Sequence, residues 1–407
     1  MKCRHCGELL QHKFVDLGHA PPSNAYLEIE KLSAPEIYYP LFVKVCDQCW
    51  LVQTEDYTKA NELFNSDYAY FSSTSSSWLA HAKAYFDKII AMLFLDQNSQ
   101  VVEIASNDGY LLRHFVNAGV PCLGIEPTAS TALAAERQGI PVLREFFGND
   151  LACRLAKEDL CADLIIGNNV YAHVPDINDF TRGLAALLKP DGVVTLEFPH
   201  LLNLIQFSQF DTVYHEHFSY LSLGVVQRIF AEAGLHIWDV EELVTHGGSL
   251  RIYGCLKTSA RKTTNRLNKV LAKERAGGLE LLKTYTDFQA QAEKIKIDLL
   301  TFLITQKCAG KRVAAYGAAA KGNTLLNYAG VKKDLISYVC DAAVAKQGKY
   351  LPGSLIPIVA PNVLSNDSPD WVLILPWNIV DEVMDQLKKI VSKNTKFIVA
   401  VPELRIL

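Results

Sequence analysis

Four of the ten cysteines fall into two identical spacings, Cys3-Arg4-His5-Cys6 and Cys46-Asp47-Gln48-Cys49. A two-residue gap lets a tight knuckle turn two thiolates toward one ion, and two knuckles complete a tetrahedron. Soft ligands in closed coordination suit zinc, so the expectation is a structural clip with no open position for water; iron held as in rubredoxin is the variant. A second set is Val213-Tyr214-His215-Glu216-His217-Phe218-Ser219-Tyr220-Leu221-Ser222. Consecutive ionisable groups in an apolar setting are costly to bury unless held for a purpose. Three readings stay open. A strand would put His215 and His217 on one face as metal ligands, although no third ligand is spaced nearby; an exposed turn is the plain alternative. The favoured chemistry is acid–base work, with an imidazole titrating near neutrality beside a carboxylate that orients it and raises its basicity.

A third set surrounds Val101-Val102-Glu103-Ile104-Ala105-Ser106-Asn107-Asp108-Gly109-Tyr110 and the later Glu126. A β-branched strand entering a tight turn and a helix leaves N–H groups and carboxylates at one sheet edge, as a cofactor site requires. Dinucleotide turns need three glycines for close approach of a pyrophosphate. Here only Gly109 is present, with Ala105 and Asn107 where glycines would fall, so a cofactor without phosphates is favoured. Asn168 to His173 follows another apolar strand and belongs at the same sheet edge. His246-Gly247-Gly248-Ser249-Leu250-Arg251 offers a glycine turn with a hydroxyl and a cation, either a wall for a polar substrate or simply a hairpin.

These groups have to be placed by elements. Strand patterns at 101–104, 122–125, 164–168 and 193–198 alternate with helical stretches at 131–137 and 180–188, which is the grammar of a parallel doubly wound sheet. Residues 311–323 repeat strand, small-residue turn and helix, and buried strands at 336–340, 371–375 and 397–401 follow, so a second Rossmann-like half is expected. Between them Phe288, Ala292, Ile295, Leu299 and Phe302 define one face of a long helix expected to bridge the lobes. The segment 68–78 combines serines with Tyr68, Tyr70, Phe71 and Trp78; it is read as an ordered loop closing over the adjoining site, with a linker as the alternative.

The 407 residues are too many for one average core. With 49% hydrophobic and 21% charged residues, the chain has ample material to bury. A net charge of −4 without Lys/Arg blocks leaves no broad footprint for nucleic acid. No apolar stretch suits a signal peptide or a membrane span, and the six other cysteines are scattered in apolar segments, so a cytoplasmic, reduced protein is expected.

Taken in order, the knuckles, the aromatic-serine loop, the Glu103–Gly109 turn, Tyr214 to Ser222, His246 to Arg251 and Tyr316 to Asn323 resemble the sugar C-methyltransferases that act on carbon 3 of nucleotide-linked 4-ketosugars. The turn itself resembles the first motif of class I methyltransferases. The resemblance implies an α/β protein: a zinc-binding domain (1–65), a class I methyltransferase Rossmann-like domain (66–255) and a C-terminal Rossmann-like nucleotide-sugar domain (256–407). It implies S-adenosylmethionine held by Glu103, Ala105, Asn107, Asp108, Gly109, Glu126 and Asn168, with Glu126 on the ribose. It also implies His217 as base, with Glu216, Tyr214, His173 and Tyr68 at the reaction centre and Glu216 steadying the imidazole. His246, Ser249, Arg251, Lys321 and Asn323 are expected on a small-molecule nucleotide-sugar substrate, and no nucleic-acid or membrane partner is expected. Two other readings are a nicotinamide oxidoreductase with Asp341 on a ribose, disfavoured by the lysine and missing glycines of residues 317–322, and a zinc-ribbon nucleic-acid binder, disfavoured by the acidic balance.

Overall fold

The computed structural model describes residues 1–57 and 71–407. Three sheets organise them. The N-terminal sheet is antiparallel, in the order His12–Ala20, Tyr39–Val45, Val52–Thr54, and takes its fourth strand, Ser219–Tyr220, from far along the chain. A seven-stranded sheet carries the order Leu235–Leu243, Ser249–Leu256, Leu188–Pro199, Ala162–Asn168, Val101–Ile104, Cys122–Ile125, Val142–Leu143. Its last five strands are parallel and the first two antiparallel. Every residue of Val101–Ile104 is buried, because helices cover both faces.

The chain winds outward one way from Val101–Ile104 and the other way from Ala162–Asn168, so the crevice beyond these neighbouring carboxyl ends is the topological switch point. The C-terminal sheet follows the same plan, in the order Ile358–Val359, Val339–Cys340, Val313–Tyr316, Trp371–Ile374, Lys396–Val399, Arg405–Ile406, with only the last strand antiparallel. Both Rossmann-like halves expected from the sequence are therefore present.

The long helix, Phe288–Cys308, buries Phe288, Ala292, Ile295, Leu299 and Leu303. It bridges two bodies, the N-terminal sheet and the C-terminal half. Phe288 stacks on Phe14 of the N-terminal sheet at 4.5 Å, and one apolar core runs from that sheet through the helix into the C-terminal half. Its stripe continues through Leu303, while Phe302 turns aside to meet Trp371 edge-on. Among the described residues, no helix is long and apolar enough to cross a membrane.

Candidate active site and metal clip

The four knuckle cysteines come together as their spacing requires. Their sulfurs lie within 4.8 Å of one another, with Cys3–Cys49 and Cys6–Cys46 at 3.5 Å. A tetrahedron with metal–sulfur bonds of about 2.3 Å has edges of roughly 3.8 Å, so the donor set fits zinc. Gln53 donates to Cys3 Sγ at 3.2 Å, the kind of outer contact that steadies a thiolate. Among the described residues this is the one cluster suited to a metal.

At the switch point the Glu103 strand ends in a turn where Ala105, Asn107 and Gly109 all take left-handed backbone, with φ of 56°, 50° and 79°. At Gly109 the left-handed φ, with Ala135 Cβ 3.1 Å from where a Cβ would stand, favours glycine. Glu126 ties the turn down, accepting from Asn107 N at 3.0 Å and Thr128 N at 2.8 Å. The serine-rich segment closes on it: Ser72 N donates to Asn107 Oδ1 at 2.9 Å and Ser73 N to Asp108 Oδ2 at 3.1 Å. Tyr68 lies outside the described residues.

Two acceptors here, Asp108 Oδ1 and Asn168 Oδ1, are buried without a hydrogen bond from a described residue, and the Glu103 carboxyl is buried beside them. Burial pushes the Glu103 carboxyl well up, against the pull of Tyr110. Orphaned acceptors at one turn call for a ligand that brings N–H groups and positive charge, and S-adenosylmethionine carries both. The residues present fit that donor.

Residues 214–217 form a turn and no strand, with His215, Glu216 and His217 buried. His217 Nδ1 lies 2.9 Å from the Thr212 carbonyl, so that nitrogen carries the proton and Nε2 keeps the lone pair. Burial, reinforced by His173, holds the ring well below its usual range and therefore neutral. His173 repeats the arrangement, donating Nδ1–H to the Glu216 carbonyl at 2.8 Å, and burial takes it to about 4. The two rings meet edge-on at 4.6 Å, and Tyr214 covers His217 at 4.0 Å.

Contrary to expectation, Glu216 is not what steadies the His217 ring: the main-chain carbonyl of Thr212 holds Nδ1, and the Glu216 carboxylate accepts from Asn24 Nδ2 at 2.8 Å. His215 points the other way, to the Tyr39 carbonyl at 3.3 Å, so the two histidines do not face a common ion.

The His246 turn reaches the same place. Asn169 Nδ2 donates to His246 Nε2 at 3.1 Å, and burial, with Lys321, lowers the ring to about 4. A Cβ on Gly248 would lie 2.0 Å from Asn203 Nδ2, which explains the glycine there. Ser249 and Arg251 are engaged within the protein. Ser249 Oγ donates to Thr245 O at 3.0 Å. Arg251 is 3% exposed and pairs with Glu197 at 2.5 Å, because a buried guanidinium must be neutralised. Burial opposes ionisation of Glu197, but hydrogen bonds and charge from His81 and Arg251 bring it down to about 2.

From the C-terminal half comes Lys321, whose Nζ donates to His246 O and Asn378 Oδ1, both at 3.3 Å. Asn323, two residues on, anchors the main chain of Ser23 at 2.8 Å. Asp341 receives the N–H groups of Ala318 and Ala343, and Tyr26 donates to Ala318 O, so this half's own turn is occupied by protein. Asn24, Thr212, Asp211, Glu197 and His81 carried no spacing signal. The role of the Pro21-Pro22-Ser23-Asn24 run arises from contacts across hundreds of residues.

A glycine-poor switch-point turn lined with unsatisfied acceptors, next to a neutral buried imidazole, defines an S-adenosylmethionine-dependent transferase. Family models agree: a zinc binding domain matches residues 3–64, a methyltransferase domain 78–240 and a C-methyltransferase C-terminal domain 244–402. The C-methyltransferase NovU of Streptomyces niveus is 34% identical over 406 residues, covering 100% of this chain and 96% of NovU. The chain belongs to this S-adenosylmethionine-dependent C-methyltransferase family. Solved structures overlap less of it. The PH0226 protein of Pyrococcus horikoshii covers 49% of this chain and 100% of its own (13% identity, TM-score 0.39). Magnesium protoporphyrin IX methyltransferase of Synechocystis, with bound SAM, covers 44% and 80% (16% identity, TM-score 0.33).

Proposed function

We propose that the enzyme methylates carbon 3 of a nucleotide-linked 4-keto-deoxysugar, of the dTDP class, through an enolate formed by His217. The carrying observation is the His217 ring itself: neutral, with Nδ1–H committed to Thr212 O and the Nε2 lone pair left to take a proton. His173, in the same tautomer, accepts from a sugar hydroxyl, and Tyr214 packs over the base. Glu103, Ala105, Asn107, Asp108, Gly109, Glu126 and Asn168 hold the donor, which supplies the electrophilic methyl group when bound. Three units share the work: 1–65 around zinc, 66–255 around the donor and base, and 256–407, which sends Lys321 toward the sugar nucleotide while Asn323 anchors Ser23.

Incubation with S-adenosylmethionine and a dTDP-4-keto-deoxysugar in deuterated water is expected to add one methyl group and, without donor, to place deuterium beside the ketone. His217→Asn should bind donor normally and lose exchange by about 10²–10⁴. Unchanged exchange would remove His217 as the base. Failure to methylate any keto-sugar, together with failure to bind the donor, would sink the whole reading.

A further inference from the structure

We propose that Lys321 is the catalytic cation that holds the enolate oxygen during proton abstraction, with Asp211 and Trp377 as positioning residues that keep it charged and aimed. This rests on the reaction proposed above and names its electrophilic partner. Removing a proton beside a ketone moves the electron pair of the broken C–H bond into the new carbon–carbon double bond and the carbonyl π electrons onto oxygen; the proton goes to His217 Nε2. The oxygen must meet a donor or a positive charge in a water-poor site.

The neutral imidazoles around the base bring no positive charge to that oxygen. His217 and His173 both spend Nδ1–H on main-chain carbonyls, and His246, whose Nε2 accepts from Asn169, is likewise held neutral. Arg251 is consumed by Glu197. Lys321 remains, half-buried in the first turn of the helix Ala320–Ala329. Its two acceptors are neutral and stand at 3.3 Å, longer than the 2.7–2.9 Å or so of a charge-assisted bond, and an ammonium has three N–H groups to give.

The surroundings maintain its charge. Nζ lies over the Trp377 ring, 4.7 Å from the centroid, and Trp377 Nε1 donates to Asp211 Oδ2 at 2.7 Å. Asp211 is completely buried, and its other oxygen accepts no hydrogen bond from a described residue. Burial lowers Lys321 while Asp211 raises it; in return Lys321 restrains the burial of Asp211, whose carboxyl reaches about 6. Each thus favours the charged form of the other.

Placement is equally specific. Asp211 sits in the short helix Phe210–Thr212, whose Thr212 carbonyl holds the base, and Thr324 Oγ1, one turn past Lys321, donates to Val213 O at 3.0 Å. One turn of chain thus fixes base and cation from different halves of the molecule. The Lys321 charge reaches both His217 and His246 and helps keep them unprotonated.

The test measures deuterium exchange beside the ketone of a dTDP-4-keto-deoxysugar, without donor, alongside affinity for dTDP alone. Lys321→Met should slow exchange by about 10²–10³ with dTDP affinity unchanged, and Lys321→Arg should restore part of the rate. In Asp211→Asn, which keeps an acceptor for Trp377, the alkaline limb of the exchange profile should move to lower pH as the lysine loses its counter-charge. Should Lys321→Met not fold, the Asp211→Asn profile and the Lys321→Arg rate decide; an unmoved limb overturns the proposal. Exchange that survives in Lys321→Met overturns it too, as does loss of dTDP binding in step with exchange, which would put the lysine on a phosphate. Wild-type protein without exchange would overturn the reaction itself; wild-type exchange with an unaffected Lys321→Met would overturn only the lysine's role.

Discussion

At the scale of single residues, the site is a set of neutral imidazoles whose protons are assigned by main-chain carbonyls. That His217 is a candidate base was legible from its neighbours in sequence, because Tyr214 to His217 concentrates ionisable groups in an apolar context. Which nitrogen bears the lone pair was not legible, since it depends on Thr212 O being 2.9 Å away. The pH consequence has a definite sign. His173 and His246 stay unprotonated in the folded protein down to about 4, whereas in the unfolded chain each takes a proton below about 6.5. Between those values the unfolded state binds more protons, so stability is full above 6.5 and falls as pH drops toward 4, by up to about 3 kcal/mol for each ring. Urea unfolding across that range should show the decline, and His173→Gln should flatten it; an equally steep decline in the variant would remove His173 as its source.

At the scale of elements, turns and an arm do the positioning. The switch-point turn was readable because a strand pattern runs straight into Asn107 and Gly109, and the structure gives the two glycine substitutes, Ala105 and Asn107, the left-handed backbone a glycine would adopt. The arm that follows the strand His12–Ala20 was not readable. Asn323 holds Ser23, Tyr350 exchanges main-chain hydrogen bonds with Leu27, and between them Asn24 is presented to Glu216. Asn24→Ala removes a hydrogen bond to a buried carboxylate, so kcat should fall about tenfold or more, with donor affinity intact. Equal loss of donor binding would mean the arm acts on the whole fold and not on Glu216.

At the scale of the whole molecule, the zinc clip reaches the chemistry through topology. The sheet it staples receives the strand Ser219–Tyr220, directly after His217, and sends the Asn24 arm between the halves. The donor turn belongs to another sheet. Purified protein should contain one zinc per chain, and its removal by chelation should lower the unfolding temperature and abolish methyl transfer while S-adenosylmethionine still binds. Full turnover by zinc-free protein, read by metal analysis beside the assay, would contradict this coupling.

The sequence by itself determined the knuckles, the two Rossmann-like sheets and the neighbourhood of the base, because each is written in spacings of a few residues that local backbone geometry turns directly into structure. Only the tertiary structure decided how these parts meet. Arg251 belongs to a buried ion pair, the long helix joins the N-terminal sheet to the C-terminal half, and the Lys321 charge acts on His217, more than a hundred residues earlier. Such pairings follow from the cost of burying a charge unpartnered and an apolar stripe uncovered, and no local spacing records which distant group will meet that cost.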